Sequence, residues 1–250
     1  MQLSELVAYL DDYLRVREVP DAREALNGLQ VANAGEVTRV AAAVDLCEAT
    51  VQLAAAQSAD FLLVHHGLFW GGLRPLVGPA YARVAGLLRH NIALYGAHLP
   101  LDRHPDVGNN AVLARALGLA VRGAFGEENG VSLGVWGELS VERAALQQRL
   151  ADLLGVIPRG MLFGPEAVRR VGIVTGAGGS MIAQAAAAGL DTYITGEGPH
   201  YTFFDAEELR LNVFYAGHYA TETVGVKALA EHLSSTFRLP WTFLDHPTGL

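Results

Sequence analysis

Two segments far apart in the chain repeat one arrangement of chemically useful residues. Tyr95-Gly-Ala-His98-Leu-Pro-Leu-Asp102 and Tyr215-Ala-Gly-His218-Tyr-Ala-Thr-Glu222 each set a histidine after a pair of small residues and a carboxylate four residues later. A third cluster, His65-His66-Gly67, closes the apolar run Phe61-Leu62-Leu63-Val64. Imidazole nitrogens and carboxylate oxygens are the ligands of a borderline divalent cation. Two such pairs and a His-His dipeptide supply more ligands than one ion needs, which points to a two-metal site.

Each feature also has a plainer reading. Neighbouring residues of a regular strand point to opposite faces, so His65 and His66 serve one centre only if the strand has ended, and Gly67 supplies that break. Otherwise the dipeptide is a polar strand cap or holds one core histidine. His98 with Asp102 and His218 with Glu222 share a face if each lies on a helix, although Pro100 favours a loop for the first pair. A lone pair of this kind reads best as a helix-start carboxylate beside a histidine; two matched pairs with His65-His66 outweigh that. Asp45, Glu197 and His200 are second-tier candidates. His90, His104 and His232 read as solvated surface residues, and the three tryptophans Trp70, Trp136 and Trp241 as core or interface. Thr175-Gly-Ala-Gly-Gly-Ser180 resembles a dinucleotide loop with exposed amides for an anion, but Met181 stands where a third glycine belongs, so the match to a nucleotide fingerprint is degenerate.

The elements that must position these groups alternate. Buried strand runs at 40–46, 61–64 and 92–95 are interleaved with helical patterns at 48–57, 81–89 and 109–117. The rhythm resumes with strands at 171–174, 193–194 and 213–215 and helices at 180–188, 203–209 and 223–233, with a last strand at 241–244. Near-continuous apolar strands separated by helices predict parallel sheet covered on both faces. Every polar cluster falls at the C-terminal end of a strand, where ligands of open α/β sheets bind. The expected architecture is α/β, a three-layer α/β/α arrangement of two pseudo-symmetric lobes whose strand ends face a shared metal cleft. The expected division is a first lobe over 1–125, a glycine-rich linking insert over 126–166 and a second lobe over 167–250, with the C-terminal helix and strand packing back on the first.

Composition narrows the function classes. The chain has 250 residues, a net charge of −8 and no basic stripe, so a nucleic-acid partner has little support. Cys47 is the only cysteine, which excludes a disulfide within the chain and a thiolate-rich zinc finger. The first residues lack a basic n-region, and no apolar stretch reaches the ~18 residues of a membrane span; a cytoplasmic protein is expected. No Gly-x-Ser-x-Gly elbow supports Ser/His/Asp catalysis.

Six ordered motifs then resemble one family: Asn27-Gly28-Leu29-Gln30-Val31, VHHGLFW (64–70), AHLPLD (97–102), GNN (108–110), ITGE (194–197) and AGHYATE (216–222). The chain is similar to the NIF-three-like dinuclear-metal proteins, also called GTP cyclohydrolase I type II homologues. That resemblance implies two intertwined α/β lobes and a hexameric toroid, a trimer of dimers. It implies His65, His66, Asp102, His218 and Glu222 as ligands of two divalent cations per subunit (zinc, manganese, iron, nickel or cobalt), with Glu222 bridging. His98 would be a nearby catalytic acid–base group. Gly67 departs from the proline of many members, and Pro199-His200 from the polar residues usual after ITGE. The activity expected is metal-dependent hydrolysis of a nucleotide-like or other cyclic substrate at a C–N bond other than a peptide bond. The competing expectations are a non-enzymatic metal-binding or interaction protein of the same toroidal form and, from the 175–180 loop alone, an NAD-dependent oxidoreductase.

Overall fold

The computed structural model describes residues 1–22, 24–128 and 130–250. Its elements run α1 (Leu3–Tyr13), β1 (Gly28–Val31), β2 (Val40–Asp45), α2 (Glu48–Ala56), β3 (Phe61–His66), α3 (Pro79–Arg89), β4 (Ala93–Gly96), α4 (Leu99–Asp102), α5 (Asn109–Leu117), β5 (Ala120–Glu128), β6 (Val131–Glu142), α6 (Arg143–Leu154), β7 (Arg159–Leu162), β8 (Ala167–Val174), α7 (Ile182–Ala187), β9 (Thr192–Thr195), α8 (Thr202–Glu208), β10 (Asn212–Tyr215), α9 (His218–Phe237) and β11 (Trp241–Phe243). They form two compact α/β units. The first holds residues 1–108 and 225–246, the second 109–224 and 247–250. The chain therefore leaves the first unit before α5 and returns to it within α9. Residues 126–166, expected as a linking insert, carry the end of β5, then β6, α6 and β7, all in the second unit.

Each unit has its own sheet, in the orders β1-β4-β3-β2-β11 and β5-β6-β8-β9-β10-β7. In the first, β2, β3 and β4 are parallel and β1 lies antiparallel on β4. In the second, β8, β9 and β10 are parallel and β7 lies antiparallel on β10. The order β1-β4-β3-β2 is thus repeated as β7-β10-β9-β8, which carries the internal duplication from an octapeptide likeness to a shared topology. The expectation of parallel sheet holds for these triplets and for β11, which pairs parallel with β2. Among the described residues, β1, β5, β6 and β7 all pair antiparallel, the long β5–β6 ribbon docking on β8. Their sequences are short or glycine-interrupted, so the strand periodicity that marks β2 and β3 is diluted.

The parallel strands are buried on both faces. Residues Val40 to Val44 and Phe61 to His65 are all buried. In the first unit Leu62, Val64 and Leu94 pack with Val51 and Ala54 of α2 and Leu87 of α3. In the second, Val171, Ile173, Ile194 and Phe214 pack with Leu113 and Leu117 of α5 and Leu146 and Leu150 of α6. Burial of this apolar surface, at about 25 cal/mol per Å², holds the strand ends in fixed register, so the polar residues just beyond them are placed by the core beneath.

Two histidines expected at the surface belong to an aromatic stack in the first unit. His232 lies flat on Tyr13, with ring centroids 4.2 Å apart and planes within 4°, and its Nε2 is 2.6 Å from the Tyr9 hydroxyl. His104 is buried, packs on Tyr13 and accepts the Val107 amide at Nδ1. Neither shows an apolar stripe in the sequence, because their partners come from α1. Burial holds His232 below the ordinary imidazole value of 6.5, against the opposing pull of Asp106. The folded ring therefore refuses a proton that the unfolded chain accepts below pH ~6.5. His232 should contribute its full stability above that pH and lose it as pH falls further. Thermal midpoints should fall on acidification, and fall less steeply in His232→Gln; parallel pH profiles for the two proteins would contradict this.

Candidate metal centre

In the first unit, β4 stops at Gly96, opposite Val64, while β3 continues through His66, which pairs with Asp45 of β2. The strand does not end before the His-His pair as expected. Instead its last two residues project past the shorter neighbour, and the two rings approach to 4.8 Å between centroids despite alternating along the strand. Gly67 has a different role from a break. A Cβ there would lie 2.4 Å from the Gln30 side-chain amide, which also packs against Gly96 and accepts the Leu68 amide at 2.7 Å. That contact excludes a proline at 67 while Gln30 occupies its place.

His98 follows β4 and takes the N-cap position of α4, a four-residue helix with Pro100 in its first turn, so the His98–Asp102 pair spans a helical turn and not a loop. Proline is tolerated there because first-turn amides have no intrahelical partner. Asp102 ends the helix, 3.5 Å from its Oδ2 to Nε2 of His65, both side chains almost fully buried. One ring nitrogen from each of His65, His66 and His98 lies within 4.8 Å of the other two. Ligands bound at 2.0–2.1 Å to a tetrahedral ion stand about 3.4 Å apart, so the His65–Asp102 spacing already matches two ligands of one cation.

The second unit repeats the pattern at the end of β10. His218 opens α9 and Glu222 follows one turn later, with His218 Nε2 3.2 Å from Glu222 Oε1. Burial would lower the His218 pKa, but Glu222 and then Glu197 override it and push it up to about 9. Two carboxylates around one imidazole make a place that demands positive charge, which a proton or a metal cation satisfies. Gly176, at φ +69°, clears that place: a Cβ there would sit 2.2 Å from Glu222 Oε1.

All four histidines have Nδ1 tied to an outer acceptor. His65 bonds Ala97 O at 2.8 Å, His66 bonds Asp45 Oδ1 at 2.8 Å, His98 bonds Asp21 Oδ1 at 2.9 Å, and His218 bonds Glu197 Oε1 at 2.7 Å. An Nδ1–H donated outward leaves the Nε2 lone pair for a metal and raises its basicity. Asp45 and Glu197 thus act behind the histidines. Asp45→Asn should keep the fold and weaken divalent-cation binding about 10-fold, the low end of such effects because Asp45 is 38% exposed. Titration calorimetry reads this, and unchanged affinity would remove Asp45 from the centre.

Sequence reasoning passes over Asp21 and Asn27. Asp21, buried, accepts from His98 Nδ1, the Leu99 amide and Asn27 Nδ2, while Asn27 Oδ1 accepts the His98 amide. Burial opposes ionisation of Asp21, but the hydrogen bond and charge of His98 outweigh it and hold its pKa below the usual value. Nothing in spacing links residues 77 apart; only the Asn27-Gly28 motif lies nearby. The 175–180 loop is not the open anion site its glycines suggest. Thr175, Gly176, Gly178 and Gly179 give their amides to Asn110, Thr221, Thr195 and Glu197, because the loop folds back against β9 and α9. His200 makes an edge contact with Phe204 beside a cleft lined by Arg159, Phe203 and Tyr215.

Duplicated α/β units with strand-end histidines braced by carboxylates define a protein whose side chains are arranged to hold metal. The chain belongs to the Duf34/NIF3 (NGG1p interacting factor 3) family, whose model matches residues 1–248. It is 46% identical to the GTP cyclohydrolase 1 type 2 homolog of Deinococcus radiodurans, over 98% of this chain and 94% of that one. It is 44% identical to the homolog of the same name from Pyrococcus abyssi, over the whole of both. The solved structure of TTHA1606 from Thermus thermophilus superposes with a TM-score of 0.91 at 45% identity, covering both chains completely. Among the described residues no helix is long and apolar enough to cross a membrane.

Proposed function

We propose that this chain is a divalent-metal-dependent hydrolase of a nucleotide-like, cyclic C–N substrate, with two cations held by His65, His66 and Asp102 of the first unit and His218 and Glu222 of the second. The observation that carries this reading is the outward anchoring of Nδ1 in His65, His66, His98 and His218, which turns Nε2 of each toward the cluster on its own half of a duplicated fold. The donor set fits a borderline divalent ion: imidazole and carboxylate, with no thiolate. Bound there, such cations would supply Lewis acidity and bring the pKa of a bound water toward neutrality. The chain's own residues do the rest. Glu197 and Glu222 compensate positive charge. Asp21 holds the His98 ring so that Nε2, the free nitrogen, can take up or give a proton beside the reacting bond. The name of the Deinococcus and Pyrococcus relatives supports a purine-nucleotide ring as the compound to test first.

The family name, an interacting factor, favours a second reading: a metal-binding interaction protein that turns nothing over. The homohexamer belongs to both readings and is checked by light scattering. One experiment separates them. Protein loaded in turn with zinc, manganese, iron, nickel and cobalt is screened against GTP and a heterocycle library, with elemental analysis beside it. Saturable turnover that disappears in His98→Gln and in metal-free protein supports the hydrolase. Full metal occupancy with no turnover supports the interaction protein.

A further inference from the structure

Trp70 does not belong to the core of the first unit. The residue is 43% exposed, yet its ring lies 4.5 Å from that of His98 and 4.9 Å from that of His66. The planes are tilted by 59° and 36°, so neither imidazole stacks parallel to the indole.

The position is built. The Leu68 amide is held by Gln30 Oε1 at 2.7 Å, and the Gly72 amide returns to Phe69 O at 2.8 Å. Gly71 and Gly72 both adopt φ +88°, a conformation glycine takes at little cost and other residues rarely. Backbone on both sides of Trp70 is thereby committed to presenting one aromatic side chain at the histidine cluster. From Gly67 to Leu73 the chain carries no ionisable group, and Leu73, Leu76 and Val77 extend the exposed apolar surface. Arg74, between Leu73 and Leu76, folds its guanidinium back against Gly71, so this wall offers ring contact and desolvation with one cation beside them.

We propose that Trp70 is the stacking platform for the substrate, which is therefore a planar heteroaromatic ring and not a flexible aliphatic amide or a sugar. The inference rests on the reading of His65, His66 and Asp102 as cation ligands and narrows its substrate class. An indole face is matched by the flat π-surface of a base, and such stacking commonly changes affinity by about 5- to 100-fold. Trp70 acts in binding the ring and donates no ligand to the metal.

Equilibrium dialysis of guanosine and of ribose against zinc-loaded protein tests this. Wild type should retain guanosine and not ribose. Trp70→Phe should bind guanosine within about 3-fold of wild type, and Trp70→Leu about 10-fold or more weaker. Zinc content should be equal in all three. Trp70→Met repeats the comparison should the leucine variant fail to fold. Zinc-loaded Trp70→Leu or Trp70→Met retaining guanosine as wild type does, or wild type holding zinc but no guanosine, overturns the platform. Zinc failing to bind wild type while guanosine retention still depends on Trp70 overturns the metal reading and leaves the platform standing.

Discussion

His66→Ala is expected to lose divalent-metal binding with the fold intact. Structural zinc sites are worth about 10–16 kcal/mol over some four ligands, so one ligand represents about 3 kcal/mol, or two orders of magnitude in affinity. The loss should exceed that of Asp45→Asn, since Asp45 only orients the ring that His66 supplies. The side chain sits at the end of β3, past the last residue that pairs with β4, and its removal leaves no strand pairing broken. Elemental analysis of protein incubated with zinc or manganese should show depleted metal beside an unchanged circular dichroism spectrum. Stoichiometry and affinity equal to wild type would remove His66 from the centre and, with it, the reason for reading the family's ligand set onto this chain.

Gly108→Ala is expected to destabilise the first unit by about 2–4 kcal/mol. A Cβ at 108 would lie 2.4 Å from His104 O, 2.6 Å from Leu101 O and 2.7 Å from Asp102 O. All three are backbone atoms of α4 and the segment that follows it, so no side-chain rotation can relieve the overlap. The carbonyl of Asp102 would have to move, and its carboxylate with it, so metal affinity should fall along with stability. Gly118→Ala is the control. A methyl group on the Gly118 Cα would meet nothing within 4 Å and bears only the strain of φ +76°, a cost of about 1 kcal/mol. At roughly 2–4 °C per kcal/mol for a chain of this size, the thermal midpoint of Gly108→Ala should fall by about 5–10 °C and that of Gly118→Ala by a few degrees. Equal midpoints for the two variants would refute the packing argument.

The parts of the fold legible in the sequence are those whose environment is uniform along the chain. β2 and β3 are buried on both faces, so their residues are apolar without interruption. α5 carries its burial stripe and ends at Gly118. The β5–β6 ribbon does not read as strand because glycines at 123, 126, 134 and 137 interrupt it. Those at 134 and 137 are forced by close approach: a Cβ at 134 would meet Ile173 O at 1.9 Å and one at 137 would meet Ala120 O at 2.4 Å. The same cause hides the helical start of α9, since Gly217 and the small residues around it resemble a turn until α9 is seen to begin at His218. His232 eludes sequence reasoning for the opposite reason, its partner Tyr9 lying 223 residues away, and Trp70 does so in part, meeting His98 across the fold although His66 is only four residues before it.

What the sequence determined alone was the chemistry: which imidazoles and carboxylates the chain owns, their matched spacing in two octapeptides, and their position after apolar strands. Those facts depend on covalent order and on the periodicity of burial, both written in one dimension. What only the tertiary structure decided was how those groups are held: Asp21 behind His98, Asp45 behind His66, Glu197 behind His218, and an exposed indole beside the first cluster. Hydrogen bonds and ring contacts are set by distances between side chains that sequence separation does not encode, because packing of the parallel strands brings their C-terminal ends side by side whatever length of chain joins them.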